Sequence, residues 1–113
     1  MARTTVVKTT VPGPFATDGV AVTWADADTV NDNRVKLTGR ELVLARNTGA
    51  GAQTVTINSV ARDGRVGDVT ADSLAAGAMH CYQVFPLEGW VQSDGFLYLE
   101  GSHADIEFAV LVV

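Results

Sequence analysis

A single cysteine, Cys81, rules out an intrachain disulfide and any four-cysteine zinc site. Basic residues are few. The 8 lysines and arginines are scattered among 13 acidic residues, giving a net charge of -5. Phosphate backbones repel such a surface, so no nucleic-acid partner is expected. No stretch approaches the ~20 consecutive apolar residues of a membrane helix. The opening "MARTTVVKTTVPGPF" lacks a signal-peptide layout, because Lys8 and threonines interrupt its apolar residues. A soluble chain made inside a cell, with no membrane partner, is the expectation. Aromatics are 7% of the residues, with no shared spacing, which gives little material for a sugar-stacking platform around Trp24 or Trp90.

What the chain does have is strand-forming sequence. Its 113 residues suit one domain, and 47% hydrophobic residues supply a core. β-branched or alternating segments recur between turn residues: "TTVVKTT" (4–10), "VAVTW" (20–24), "RVKL" (34–37), "ELVLARN" (41–47), "QTVTINSV" (53–60), "MHCYQVF" (79–85), "FLYLE" (96–100) and "IEFAVLVV" (106–113). The polar "DADTVNDN" (26–33) and the glycine-rich "ARDGRVGD" (61–68) read as loops. "ADSLAAGAM" (71–79) offers a helix at most two turns and reads as a loop entering a strand. The pattern predicts an all-β sandwich of about eight strands. Its predicted core contains Val22, Val43, Val55, Ile57, Val84, Leu97, Phe108 and Val110. Whether Leu42 and Leu44 or Val43 face inward stays open, because the run is apolar throughout. The last strand carries Ile106, Phe108, Val110 and Val112 on one face and ends with Ala109, Leu111 and Val113 on the other. Apolar residues on both faces suit a central strand or a subunit contact, and predict a homo-oligomer.

No residue set carries a reaction. "NTGAGAQT" holds a G-x-G at Gly49 and Gly51, but no third glycine and no following helix, so no dipole meets a phosphate. It reads as a hairpin turn whose glycines supply positive φ. "GSHAD" places Ser102, His103 and Asp105 side by side, whereas catalytic triads converge from separate elements. It reads as a turn. Asp26, Asp28, Asn31, Asp32 and Asn33 resemble a calcium loop, yet Val30 stands at a ligand position and Asn31 where the glycine is required. His80 and Cys81 are neighbours on a strand and so point to opposite faces. No catalytic, cofactor or metal residues are assigned, and the chain is not expected to be an enzyme.

Three segments carry a resemblance: "ELVLARNTGAGAQTVTINSV", then "DSLAAGAMHCYQVF", then "GFLYLEGSHADIEFAVLVV". Over about residues 35–113 this series of strands and turns resembles the capsid decoration (cement) proteins of tailed bacteriophages. The resemblance implies a jelly-roll-like sandwich, often a homotrimer, that binds the major capsid protein on the outside of an assembled virion shell and stabilises it. A tail or neck component, or a carbohydrate-binding sandwich, are the alternatives. Residues 1–15 lie outside the resemblance and form either an extended arm or the first strand, and residues 16–113 form the sandwich. As an arm, the threonine- and valine-rich segment could add a strand to an exposed sheet edge. Arg3, Thr5, Val7 and Lys8 are therefore candidate shell contacts, with Leu111 and Val113 candidates for contact between copies. Since ligand spacing fails at every acidic or histidine cluster, thermal melts with and without a strong chelator should coincide. A large fall in melting temperature on chelation would direct attention back to Asp26, Asp28 and Asp32.

Overall fold

A computed structural model describes residues 3–60 and 68–113; most of the glycine-rich "ARDGRVGD" segment lies outside the described residues. The described chain is all-β. In order its strands are β1 (Thr4–Thr5), β2 (Lys8–Thr10), β3 (Ala25–Asp26), β4 (Asn33–Lys36), β5 (Glu41–Asn47), β6 (Gln53–Asn58), β7 (Val69–Leu74), β8 (Met79–Phe85), β9 (Phe96–Gly101) and β10 (Ile106–Val112). They form two sheets. One runs β1-β4-β9-β6-β7, and the other runs β2-β10-β5-β8, with β3 also paired to β10.

Alternation explains the layering. In β5, Val43 and Ala45 are buried while Leu42, Leu44 and Arg46 are half-buried on the outer face, which settles the register of that run. Val55 and Ile57 of β6, Leu97 and Leu99 of β9, and Ile106, Phe108 and Val110 of β10 meet them in one core. β10 is central: β5 pairs with one edge and β2 and β3 share the other.

The N-terminal segment joins the layers. Thr4–Thr5 pairs in parallel with β4 of the first sheet, and Lys8–Thr10 pairs in parallel with β10 of the second. Val6 lies between them, buried, with its N–H bonded to the Arg34 carbonyl. Residues 4–10 therefore cross from one sheet to the other rather than forming one strand.

Lys8 brings an ammonium to the buried Glu41 carboxylate at 2.9 Å. Burial alone would push the Glu41 carboxyl up. The Thr38 N–H at 2.6 Å, Lys8 and the Thr38 hydroxyl at 2.7 Å more than offset it, and hold the group at about 2 against an ordinary 4.5.

Several sequence expectations are corrected. Residues 20–24 form no strand, and the expected core residue Val22 is 36% exposed. Residues 71–79 are not simply a loop: β7 runs to Leu74 and a turn follows. Val84, expected inside, is 43% exposed. The register between β5 and β8 slips between Leu42 and Leu44, so β8 carries an extra residue. That bulge reverses the alternation after Tyr82, and Phe85 enters the core in place of Val84. The strands flanking residues 48–52 do not form a hairpin, because β5 and β6 lie in different sheets. Among the described strands, only β6 and β7 are both consecutive in sequence and paired.

Phe108 is fully buried at the centre of the core, so Phe108→Ala should destabilise the fold by about 3–5 kcal/mol in denaturant unfolding. Glu41 generates a pH prediction. Its folded pKa lies below its unfolded value, so its contribution is complete above the unfolded pKa and disappears as pH falls from about 4.5 towards about 2. Glu41→Gln leaves Lys8 without its counter-charge and should lower stability by about 3 kcal/mol at neutral pH. The gap in melting temperature between parent and variant should close as pH falls through that window; a gap independent of pH would refute the assignment.

Candidate interaction surface

The candidate contacts fall into two groups. Arg3, Lys8, Thr5 and Leu111 are engaged within the chain, while Val7 and Val113 are open. The Arg3 guanidinium pairs with Glu100 at 2.9 Å and lies over the Tyr98 ring at 4.0 Å. Lys8 is held by Glu41. The Thr5 hydroxyl accepts a 3.3 Å bond from Arg34 Nε. Leu111 is half-buried on the outer face of β10, opposite Leu42 of β5 and Thr9 of β2. Val7 is 65% exposed and Val113 43% exposed. The Val113 backbone is tied to Arg40, whose carbonyl accepts its N–H at 3.1 Å and whose Nε donates to its carbonyl at 2.6 Å.

The larger exposed feature is the excursion between β2 and β3. Every residue from 11 to 23 is exposed, and both ends are fixed on the same edge of β10. Within it, the Ala16 N–H bonds the Gly13 carbonyl and the Thr23 N–H bonds the Thr9 hydroxyl at 3.0 Å. At its tip, "PGPF", Phe15 is completely exposed and has a φ of 67°. The left-handed region is costly for a bulky residue, and such strain persists where the fold holds it in place. At the edge of the second sheet opposite this excursion, the outer face carries Met79, Cys81 and Val84 on β8, with Leu42, Leu44 and Leu111 on the neighbouring strands. Among these, Met79 is 61% exposed.

The groups weighed for chemistry have structural partners. Asn47, buried, donates to the carbonyls of Gly51 at 2.7 Å and Leu74 at 3.0 Å, and its Oδ1 accepts the Gly49 N–H. This amide shapes the G-x-G segment into a crossing between sheets. Neither Gly49 nor Gly51 has a positive φ; a Cβ at 49 would run into the Asp105 side chain, which would have to shift. Ser102 Oγ donates to Gln53 Oε1 and accepts the Thr54 N–H, while His103 Nδ1 accepts the Asp105 N–H. Serine and histidine thus serve turn geometry. Asp28 accepts the Thr4 hydroxyl and the N–H groups of Asn31 and Val30, in that order of effect, which hold its carboxyl at about 2. Asp32 is pushed up by burial and then by Glu100. Among the described residues, no three acidic, histidine or cysteine side chains converge as a metal site.

The two tryptophans are partly covered by their own chain. Trp24 lies under the Arg46 guanidinium at 4.1 Å, and Trp90 meets Phe85 edge-on at 4.7 Å. One cluster escaped the sequence reading. Asp72 Oδ2 on β7 lies 2.7 Å from both His80 Nδ1 and Tyr82 OH on β8, linking the open edges of the two sheets. Burial, then Asp72, pushes the Tyr82 hydroxyl up, and the Tyr82 and His80 bonds hold Asp72 down. The i, i+2 spacing of His80 and Tyr82 puts both on the inner face; only the fold supplies Asp72. Cys81 points to the opposite, outer face and is exposed.

Compared with known proteins, the chain matches no family model, no curated protein and no solved structure.

Proposed function

We propose that this protein is a structural virion component that binds the outer surface of an assembled tailed-phage shell, through its major capsid protein, and stabilises that shell as a homotrimer. The observation that carries the reading is Phe15: a large apolar side chain, fully exposed, in a strained backbone, on a proline-bounded tip anchored at both ends. An exposed apolar anchor of this kind is suited to a pocket on a partner. The fixed ends reduce the conformational freedom lost on docking. Pro12 and Pro14 lack backbone N–H groups, so the tip engages by insertion of a side chain rather than as a strand. An acidic surface suits the shell exterior, away from packaged nucleic acid. The jelly-roll-like winding is part of the proposal, and the frequent passage of the chain between sheets supports it.

The test uses undecorated shells assembled from tailed-phage major capsid protein. The full chain should sediment with the shells and raise their disruption temperature. Phe15→Asp should weaken binding at least ~10-fold, the scale of one buried anchor, while leaving the chain's own melting temperature unchanged. Absence of shell binding, or unchanged binding by the variant, overturns the reading. Retention on a glycan array instead would assign the protein to carbohydrate recognition.

A further inference from the structure

We propose that copies of this chain join head to tail by strand addition, residues 20–23 of one copy pairing with the free edge of β8 in the next. The inference concerns assembly in solution and does not rest on shell binding.

The acceptor is β8. β5 covers one of its edges, and no described strand covers the other. Sheet edges are ordinarily guarded by shortness, charge, proline or irregular backbone. The other three edges have such guards. β1 and β2 are short, and β7 carries Asp72 and departs from strand geometry at Ala71, with a φ of 47°. β8, "MHCYQVF", has no lysine, arginine, carboxylate or proline. Its bulge lies opposite Val43 and leaves the pairing of residues 79–81 with β5 regular. Met79, Cys81 and Val84 face outward beside this edge, exposed and without charge.

The donor is "VAVT" at residues 20–23. It has the β-branched alternation of a strand, yet the structure leaves it unpaired. Among the described residues, only the Thr23 N–H of its four has a partner, the Thr9 hydroxyl. Val20 is 54% exposed and Val22 36%. Being two apart, they share a face on an extended segment, and that face would continue the apolar outer row of Met79, Cys81 and Val84. Neither the donor run nor the acceptor row carries a charge, so nothing repels the match and added salt should not weaken it.

The topology fixes how copies meet. The donor leaves from the β2–β3 side of β10, and β8 is the opposite edge of the same sheet. Two different patches therefore engage, so the contact is heterologous, and repetition closes a ring or extends a filament. This gives an unpaired strand and an unguarded edge the same partner, a second copy.

The experiment is light scattering after size exclusion, with no shell present. Val20→Asp with Val22→Asp blocks the donor; Cys81→Lys with Val84→Lys blocks the acceptor. All four positions are exposed, and circular dichroism and melting check each fold. The full chain should run as an oligomer, and each blocked variant as a monomer. An equimolar mixture of the two variants retains one intact donor and one intact acceptor. It should form a species of twice the 11.9 kDa chain mass and no larger. If a blocked variant does not fold, Val22→Cys serves instead, because the chain's only cysteine is Cys81. Mild oxidation should link residue 22 of one copy to Cys81 of the next, giving covalent multimers on a denaturing gel, while Thr17→Cys should give none. A full chain monomeric at millimolar concentration, blocked variants that keep the parent mass, a mixture of folded variants that stays monomeric, or equal crosslinking at residues 17 and 22 would each overturn the proposal.

Discussion

Residues 4–10 are shared between two sheets, and the rest of the structure depends on that double engagement. Each sheet has one apolar face to hide, and the two faces are stable only against each other. The segment pairs with β4 through Thr4–Thr5, turns Val6 into the interior, and pairs with β10 through Lys8–Thr10. Sliding one layer over the other would break both ladders. The same crossing places Lys8 against Glu41, so β2 and β5, on either side of β10 in the second sheet, are also joined by a charge pair whose buried carboxylate has further bonds to Thr38. Such a pair adds less to stability than its Coulomb energy suggests, because desolvation offsets it. What it adds is register, since an unpaired Glu41 could not remain inside.

The opposite side of the sandwich is closed differently. No backbone ladder joins β7 to β8; Asp72 reaches across to His80 and Tyr82. One flank is thus fastened by shared strands and the other by a carboxylate. Among the described strands β8 therefore keeps one unpaired edge, and Met79, Cys81 and Val84 are exposed beside it. The excursion from residue 11 to residue 23 leaves from the fastened flank, where both its ends are secured. Its proline-rich half suits side-chain insertion and its valine-rich half suits backbone pairing, so neighbouring residues can serve different partners.

Polar groups that resembled functional motifs work as joints. Asn47 shapes the crossing from β5 to β6, Asp28 organises the turn before β4 and connects it to Thr4, and Ser102 ties the turn before β10 to β6. Each lies where the chain changes direction, the place where backbone groups leave a ladder and need substitutes. Strand-to-strand crossings are numerous here, and asparagine, aspartate and serine supply the substitutes at many of them.

The sequence by itself determined the all-β class and most inward faces. Val55, Ile57, Leu97, Phe108 and Val110 are buried as alternation predicts, because a strand's two-residue period is a local property. That a strand rather than a helix follows the G-x-G segment was equally legible, since the alternation of Gln53–Asn58 is also local. Only the tertiary structure decided which strands pair. Residues 42–60 looked like a hairpin and are two strands in opposite sheets; residues 20–24 looked like a strand and join none. Nor could alternation reveal the bulge that exchanged Val84 for Phe85, or bring Asp72 to His80. The physical reason is common to all four. Hydrogen-bond partners in a sheet come from residues distant in the chain, so pairing, register and cross-sheet contacts are set when the layers close on one another.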